Sequence, residues 1–175
     1  MLKRNGNPAR PGDALKGRHV TEEGGISDFI VRDPDFAERI QKSFDAQGMM
    51  GHIGALMLSV SPGNCEIELP YSEEVSQQHG FFHGGIIGTI ADNAGGYAAS
   101  SLMNANDEVL TVEFKLNFMA PAVGDRILAR GQVFRPGRTL TITRAEVLVF
   151  KDGHETVCAA MQQTIMRIVG RPDLT

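Results

Sequence analysis

Apolar positions along the chain follow two different periods, and each predicts a different kind of element. From Pro34 onward, Phe36, Ile40 and Phe44 recur every four residues, with Asp33 placed to cap and Pro34 in the first turn. That spacing predicts a short helix ending near Gly48. Two apolar runs follow, Gly54 to Val60 and Cys65 to Leu69, parted by Ser61-Pro62-Gly63-Asn64, a sequence suited to a tight turn. They read as a β-hairpin. Between Gly84 and about Leu102, Ile87, Ile90, Ala91, Ala94 and Ala98 fall at helical spacing on an otherwise small-residue background. A helix of that kind can lie very close to a sheet. Leu110, Val112, Phe114, Leu116 and Phe118 then alternate with Thr111, Glu113, Lys115 and Asn117, so one face of a strand is expected in the core. Arg126 to Phe134, Thr139 to Phe150 and His154 to Ile168 read as three further strands, the last two turns being Arg135-Pro136-Gly137-Arg138 and Lys151-Asp152-Gly153.

Hairpin, one central helix, then four meandering strands is an α+β order, and it predicts an antiparallel β-sheet wrapped around one helix. The first 33 residues are rich in Gly, Pro and charge and show neither period. They are expected to form a flexible arm (1–33) before a single domain (34–175). At 175 residues the chain supports one ordinary core and not two.

Composition narrows the class of function. The chain is 42% hydrophobic and 22% charged, the balance of a globular protein. No apolar run approaches the roughly 20 residues of a membrane span, and Met-Leu-Lys-Arg-Asn-Gly-Asn-Pro lacks the apolar stretch of an export signal. A cytoplasmic protein without a membrane partner is therefore expected. A formal net charge of −4 argues against nucleic acid, whose phosphates demand clustered Lys and Arg. Cys65 and Cys158 have no metal-type spacing and are expected to be reduced thiols in strands.

The chemistry concentrates where a loop enters the central helix. Gln77-Gln78-His79-Gly80-Phe81-Phe82-His83-Gly84-Gly85 ends in two glycines at the helix start. The first helical amides have no intrahelical acceptor and carry the positive end of the helix dipole, and a glycine there lets a carbonyl oxygen approach. That is the composition of an oxyanion hole, although paired glycines also serve simply to turn a loop into a helix. Asp92 sits on the same helix beside the apolar stripe. A carboxylate there either faces a polar cleft, as a general base or nucleophile, or lies on a solvated helix face. Eight residues separate Gly84 from Asp92, roughly 12 Å along a helix axis, so one substrate carbonyl cannot use both from one chain. Two copies of the helix running antiparallel across a two-fold axis would bring Gly84 of one to Asp92 of the other. Such chemistry implies a homo-oligomer, a dimer or a dimer of dimers.

The element order, with Gly80-x-x-His83-Gly84-Gly85 and Asp92 following, resembles the PaaI-like branch of the hot-dog fold thioesterase superfamily over about Gly51 to Ile168. The resemblance implies an acyl-CoA or aryl-CoA thioesterase in which the Gly84 amide polarises the thioester carbonyl. Asp92 of the other subunit acts as base or nucleophile, and His83 shapes the site. It also implies that Thr111 orients the water. Gln77, where the family commonly has Asn, would bind carbonyl or water, with a side chain one methylene longer. Gly85 and Phe82 are expected substrate contacts, and Phe81 and Met103 are candidates to line the acyl pocket. Arg135 and Arg138, with Arg167, are candidates for coenzyme A phosphates, against the alternative of an exposed hairpin with solvated charges. No metal or redox cofactor is expected, coenzyme A being part of the substrate.

Other motifs are weaker. His79 and His83 are four apart but enclose no glutamate, Gly84-Gly85-Ile86-Ile87-Gly88 lacks βαβ surroundings, and no Gly-x-Ser-x-Gly occurs. Two rivals remain. A non-catalytic acyl-CoA sensor of the same fold would have no need of Asp92. A hot-dog dehydratase for hydroxyacyl thioesters would want a His paired with an acid and a proline-rich loop before its helix.

Overall fold

The computed structural model describes residues 16–20 and 26–170. Much of the segment read as an arm, 1–15 and 21–25, lies outside the described residues. Within its remainder, strands β1 (Lys16–Val20) and β2 (Ile26–Ile30) pair antiparallel. The chain joins the core at Phe29, before the expected boundary at residue 33, because the Phe29 ring is buried over the turn at Gly63. A Cβ on Gly63 would lie 2.5 Å from that ring, and its φ of +77° also favours glycine.

Helix α1 (Phe36–Asp45) forms from the four-residue repeat, burying Ile40 and Phe44. Full burial of such side chains stabilises by about 1.5–3 kcal/mol each. The N-cap residue is Asp35, but Asp33 still serves the helix start. Its Oδ1 accepts from the Asp35 N–H and its Oδ2 from Arg39 Nε at 2.8 Å, while Arg39 also donates to Ser100 Oγ and the Ser100 carbonyl. These bonds tie α1 to the central helix. The helix expected to run on to Gly48 stops at Asp45, and a second short helix, α2 (Gly48–Ile53), follows and ends on left-handed Gly54.

Strands β3 (Leu56–Ser61) and β4 (Asn64–Pro70) form the predicted hairpin. Helix α3 (Gly84–Ser100) occupies nearly the expected span. Strands β5 (Glu108–Phe118), β6 (Arg126–Arg135), β7 (Leu140–Lys151) and β8 (His154–Ile168) complete a six-stranded antiparallel sheet of order β3-β4-β6-β7-β8-β5, with α3 packed across it. Approach of helix to sheet is backbone to backbone: a Cβ on Gly131 of β6 would lie 2.3 Å from the Ala94 carbonyl oxygen.

Two expectations about the sheet are corrected. Only β6, β7 and β8 meander; β5 lies at the far edge beside β8, and β6 pairs with β4. The crossing is made along one end of the sheet, where Met119 N–H bonds to the Cys158 carbonyl, Phe82 N–H to the Ala122 carbonyl and Tyr71 N–H to the Asp125 carbonyl. Nor is the alternating face of β5 core. Its register against β8 shifts between Thr111 and Glu113, so the alternation reverses there. Thr111 lies opposite Ile165, and beyond the bulge Phe114, Leu116 and Phe118 lie opposite Gln163, Met161 and Ala159, all buried on the helix side of β8. Phe114 and Phe118 nonetheless remain 52% and 58% exposed, because β5 is an edge with no neighbour beyond it among the described residues.

Candidate active site

At the helix entrance, His83 is the N-cap of α3, and its Nδ1 accepts the Gly85 N–H at 3.0 Å. The backbone of His83 is extended, with φ −64° and ψ 136°, and its N–H bonds to the Val75 carbonyl. Accepting through Nδ1 leaves Nε2 to carry the ring hydrogen. Gly85, expected to contact substrate, therefore has its amide engaged by His83. Among the described residues no acceptor meets the Gly84 N–H. Phe118 of β5 lies alongside, and a Cβ on Gly84 would come within 3.0 Å of its ring.

Gln77 shapes its own loop. Its side-chain oxygen accepts from the His79 N–H, its N–H bonds to the Phe81 carbonyl at 2.8 Å, and its carbonyl accepts from Gly80 at 2.9 Å. Phe82, expected at the substrate, is 3% exposed and meets Tyr71 edge-on with ring centroids 5.4 Å apart, so in this chain it is a core residue. Met103 is likewise buried, whereas Phe81 is half-buried.

Asp92 and Thr111 do come together. Thr111 Oγ1 donates to Asp92 Oδ1 at 2.7 Å, from the bulged segment of β5. A second donor was not foreseen: Gln163 Nε2, on β8, reaches the same Oδ1 at 2.7 Å and the Asp92 main-chain carbonyl at 3.1 Å. Among the described residues, Oδ2 of Asp92 has no hydrogen-bond partner. One carboxylate oxygen is thus held by donors from two strands, while the other meets none among the described residues.

Asp92 and Thr111 border a half-open cavity of about 1020 Å³ between α1, α3 and the start of β5. Its polar wall was also missed by sequence reasoning. Gln47, from the joint between α1 and α2, donates through Nε2 to Asn93 Oδ1 at 2.7 Å and to Tyr97 Oη at 2.6 Å, and Ser43 Oγ lies 3.3 Å from Tyr97 Oη. Burial pushes the Tyr97 phenol above its ordinary range, against the pull of its bonds to Ser43 and Gln47, so it stays neutral. Only tertiary contact links these positions.

The arginines divide. Arg135 and Arg138 are exposed in the β6–β7 hairpin and do not border the cavity. Arg167, the third candidate for phosphate, is instead committed to Asp107 by an ion pair of 2.6 Å in which the carboxylate is buried and the guanidinium partly so. Burial alone would raise the Asp107 carboxyl, but the hydrogen bonds from Asn104 and Arg167 and the arginine's charge together hold it below the usual carboxylate range. Burial pushes the Cys65 and Cys158 thiols up, to about 12 and about 11, as befits unreactive core cysteines. Among the described residues no three His, Cys, Asp or Glu side chains gather as a metal would require, and no helix is long and apolar enough to cross a membrane.

Residues 79–158 match the family model described as "Thioesterase superfamily". A crystal structure of a thioesterase family protein from Silicibacter pomeroyi is 45% identical, with a TM-score of 0.76 over 77% of this chain and 99% of that one. The PaaI protein of the E. coli phenylacetic acid degradation operon, at 18% identity, shares the fold with a TM-score of 0.68, over 76% of this chain and 93% of its own. Human acyl-coenzyme A thioesterase 13 is 28% identical over 92 residues, which are 52% of this chain and 65% of that protein's length.

Proposed function

This chain belongs to the thioesterase superfamily, with its hot-dog fold, and from that membership we propose that it hydrolyses acyl- or aryl-coenzyme A thioesters to the free acid and coenzyme A. The observation that carries the proposal is the Asp92 carboxylate, pinned through Oδ1 and open at Oδ2 over a cavity. In the base route, Oδ2 takes a proton from water, and the hydroxide adds to the thioester carbon. The Gly84 N–H holds the oxyanion that forms, and its collapse breaks the C–S bond, the proton passing from Asp92 to the departing thiolate. In the nucleophile route Oδ2 itself adds to the carbon and the C–S bond breaks, expelling the coenzyme A thiolate and leaving a mixed anhydride; water then cleaves the anhydride, regenerating the Asp92 carboxylate and supplying the thiolate's proton. Thr111, bonded to Asp92, is suited to orient that water. Arg135 and Arg138, exposed in the β6–β7 hairpin, are proposed contacts for the coenzyme A phosphates. Neither route draws on a metal or redox cofactor.

The proposed site is shared between two copies of the chain. Gly84 and Asp92 sit too far apart along one helix for a single carbonyl. Support for a second copy comes from β5, an edge strand of eleven residues exposing Leu110, Val112, Phe114 and Phe118, with Met119 exposed just beyond it. A long apolar edge is an aggregation hazard unless it is covered, and a two-fold axis beside β5 covers it with itself. The test is free-thiol release over a panel of short, long and aromatic acyl-CoAs, with Asp92→Asn beside the parent. Asp92→Asn is expected to keep fold and assembly while turnover drops by up to about 10⁴-fold; parent-like turnover would end the proposal.

A further inference from the structure

We propose that Gln163 is a positioning residue for this hydrolysis: its side-chain amide locks the Asp92 carboxylate into the one orientation that presents Oδ2 to the substrate. The inference rests on the proposed role of Asp92 and adds to it. Gln163 is 1% exposed, on the helix-facing side of β8 between Met161 and Ile165, where an apolar residue would be the default. Burying an amide there is costly unless every polar atom finds a partner. Both Nε2 hydrogens are used on Asp92, one on its main-chain carbonyl and one on Oδ1, and Oε1 accepts from Thr143 Oγ1 at 3.0 Å. Since both Asp92 groups are acceptors, the NH₂ side must face the helix, which fixes the amide's orientation. Thr143 is itself fully buried, so the chain Thr143–Gln163–Asp92 runs from the core to the cavity.

The helix is built to admit this side chain. A Cβ on Gly95 would lie 1.7 Å from Gln163 Oε1 and 2.8 Å from Thr143 Oγ1, so Gln163 can occupy its place only because position 95 has no side chain. Thr111, the other donor to Oδ1, belongs to the exposed edge strand, whereas Gln163 is held by the interior of the sheet. A carboxylate tethered by Thr111 alone could swing about its side-chain torsions. The buried donor removes that freedom, and Gln163 does so without touching substrate.

The test uses Gln163→Met, which keeps volume but has no donor, and Thr143→Val, which keeps shape but frees Oε1. Both are assayed in the full-length protein by thiol release from an acyl-CoA that the parent hydrolyses, with thermal unfolding to establish folding. Gln163→Met is expected to lower kcat about 10- to 100-fold with KM unmoved, the scale of a misplaced catalytic group. Thr143→Val is expected to lower kcat less, again at constant KM, and carries the same test should Gln163→Met not fold. In an Asp92→Asn background, Gln163→Met should cost nothing further, because there is no carboxylate to position. Unchanged kcat in either folded variant, or the same fractional loss in both backgrounds, overturns the inference while leaving Asp92 in its role. An Asp92→Asn protein as active as the parent would instead overturn the role of Asp92.

Discussion

The two ends of the proposed chemistry lie on one helix and are prepared in opposite ways. At the first turn of α3, the proposed working group is the Gly84 N–H, which meets no acceptor among the described residues, while His83 takes the neighbouring Gly85 amide. At Asp92, the working group is a carboxylate held by donors from β5 and β8, one of them buried. The difference follows from bond freedom. A backbone amide in a helix cannot rotate, so it needs only to be left bare beside a residue small enough to admit a ligand. A carboxylate turns about two torsions, so it must be tethered before it can be aimed. The first device depends on what is missing, the second on what has been added.

This contrast can be broken at each end. The loss expected for Asp92→Asn is the largest, since it removes the tethered group itself. At the other end, Gly84→Pro deletes the amide hydrogen while sparing the helix: proline suits a first helical position, and the extended backbone of His83 is what a residue before proline requires. Its kcat should fall by about 10²-fold or more, the usual effect of losing an oxyanion donor. Gly84→Ala keeps the hydrogen and only crowds Phe118, so its loss should be clearly smaller; equal losses in the two variants would mean that crowding, and not the donor, matters. The smallest effect is expected at Gly95, which contributes only space. Gly95→Ala should displace Gln163, lowering stability by about 1–3 kcal/mol in chemical unfolding, as overpacking does. Unchanged stability would show that the packing beneath Asp92 is looser than the structure describes.

The residues of the first arrangement could be read from the sequence, whereas half of those of the second could not. Paired glycines after His83, and an acid two turns into an apolar helix, are local patterns, and α3 begins at the expected Gly84. Thr111 could be paired with Asp92 only through a family resemblance. Gln163 could not be found at all, because Gln162 and Gln163 are adjacent and only register decides which faces the helix. That register is interrupted by shifts between Thr111 and Glu113 and between Val147 and Leu148, which no period-two count anticipates. The face of β5 read as core stays exposed for a different reason, the edge position of the strand, which alternation cannot reveal. Strand order was misjudged for a related reason: a meander is the shortest path, and the crossing from β5 to β6 is held by main-chain bonds to Cys158, Phe82 and Asp125 that carry no side-chain signal. Arg167 illustrates the limit for charge, since its pairing with Asp107 joins residues 60 apart in sequence.

The claim on which everything else depends is that Gly84 of one chain and Asp92 of another serve one carbonyl. It is tested by mixing two crippled proteins, Asp92→Asn and Gly84→Pro, under conditions in which subunits exchange, and following thiol release. In a mixed dimer one site receives both defects and the other receives neither, so about a quarter of parental activity should return from an equal mixture. Mixing that restores nothing, once exchange has been verified, would contradict the shared site.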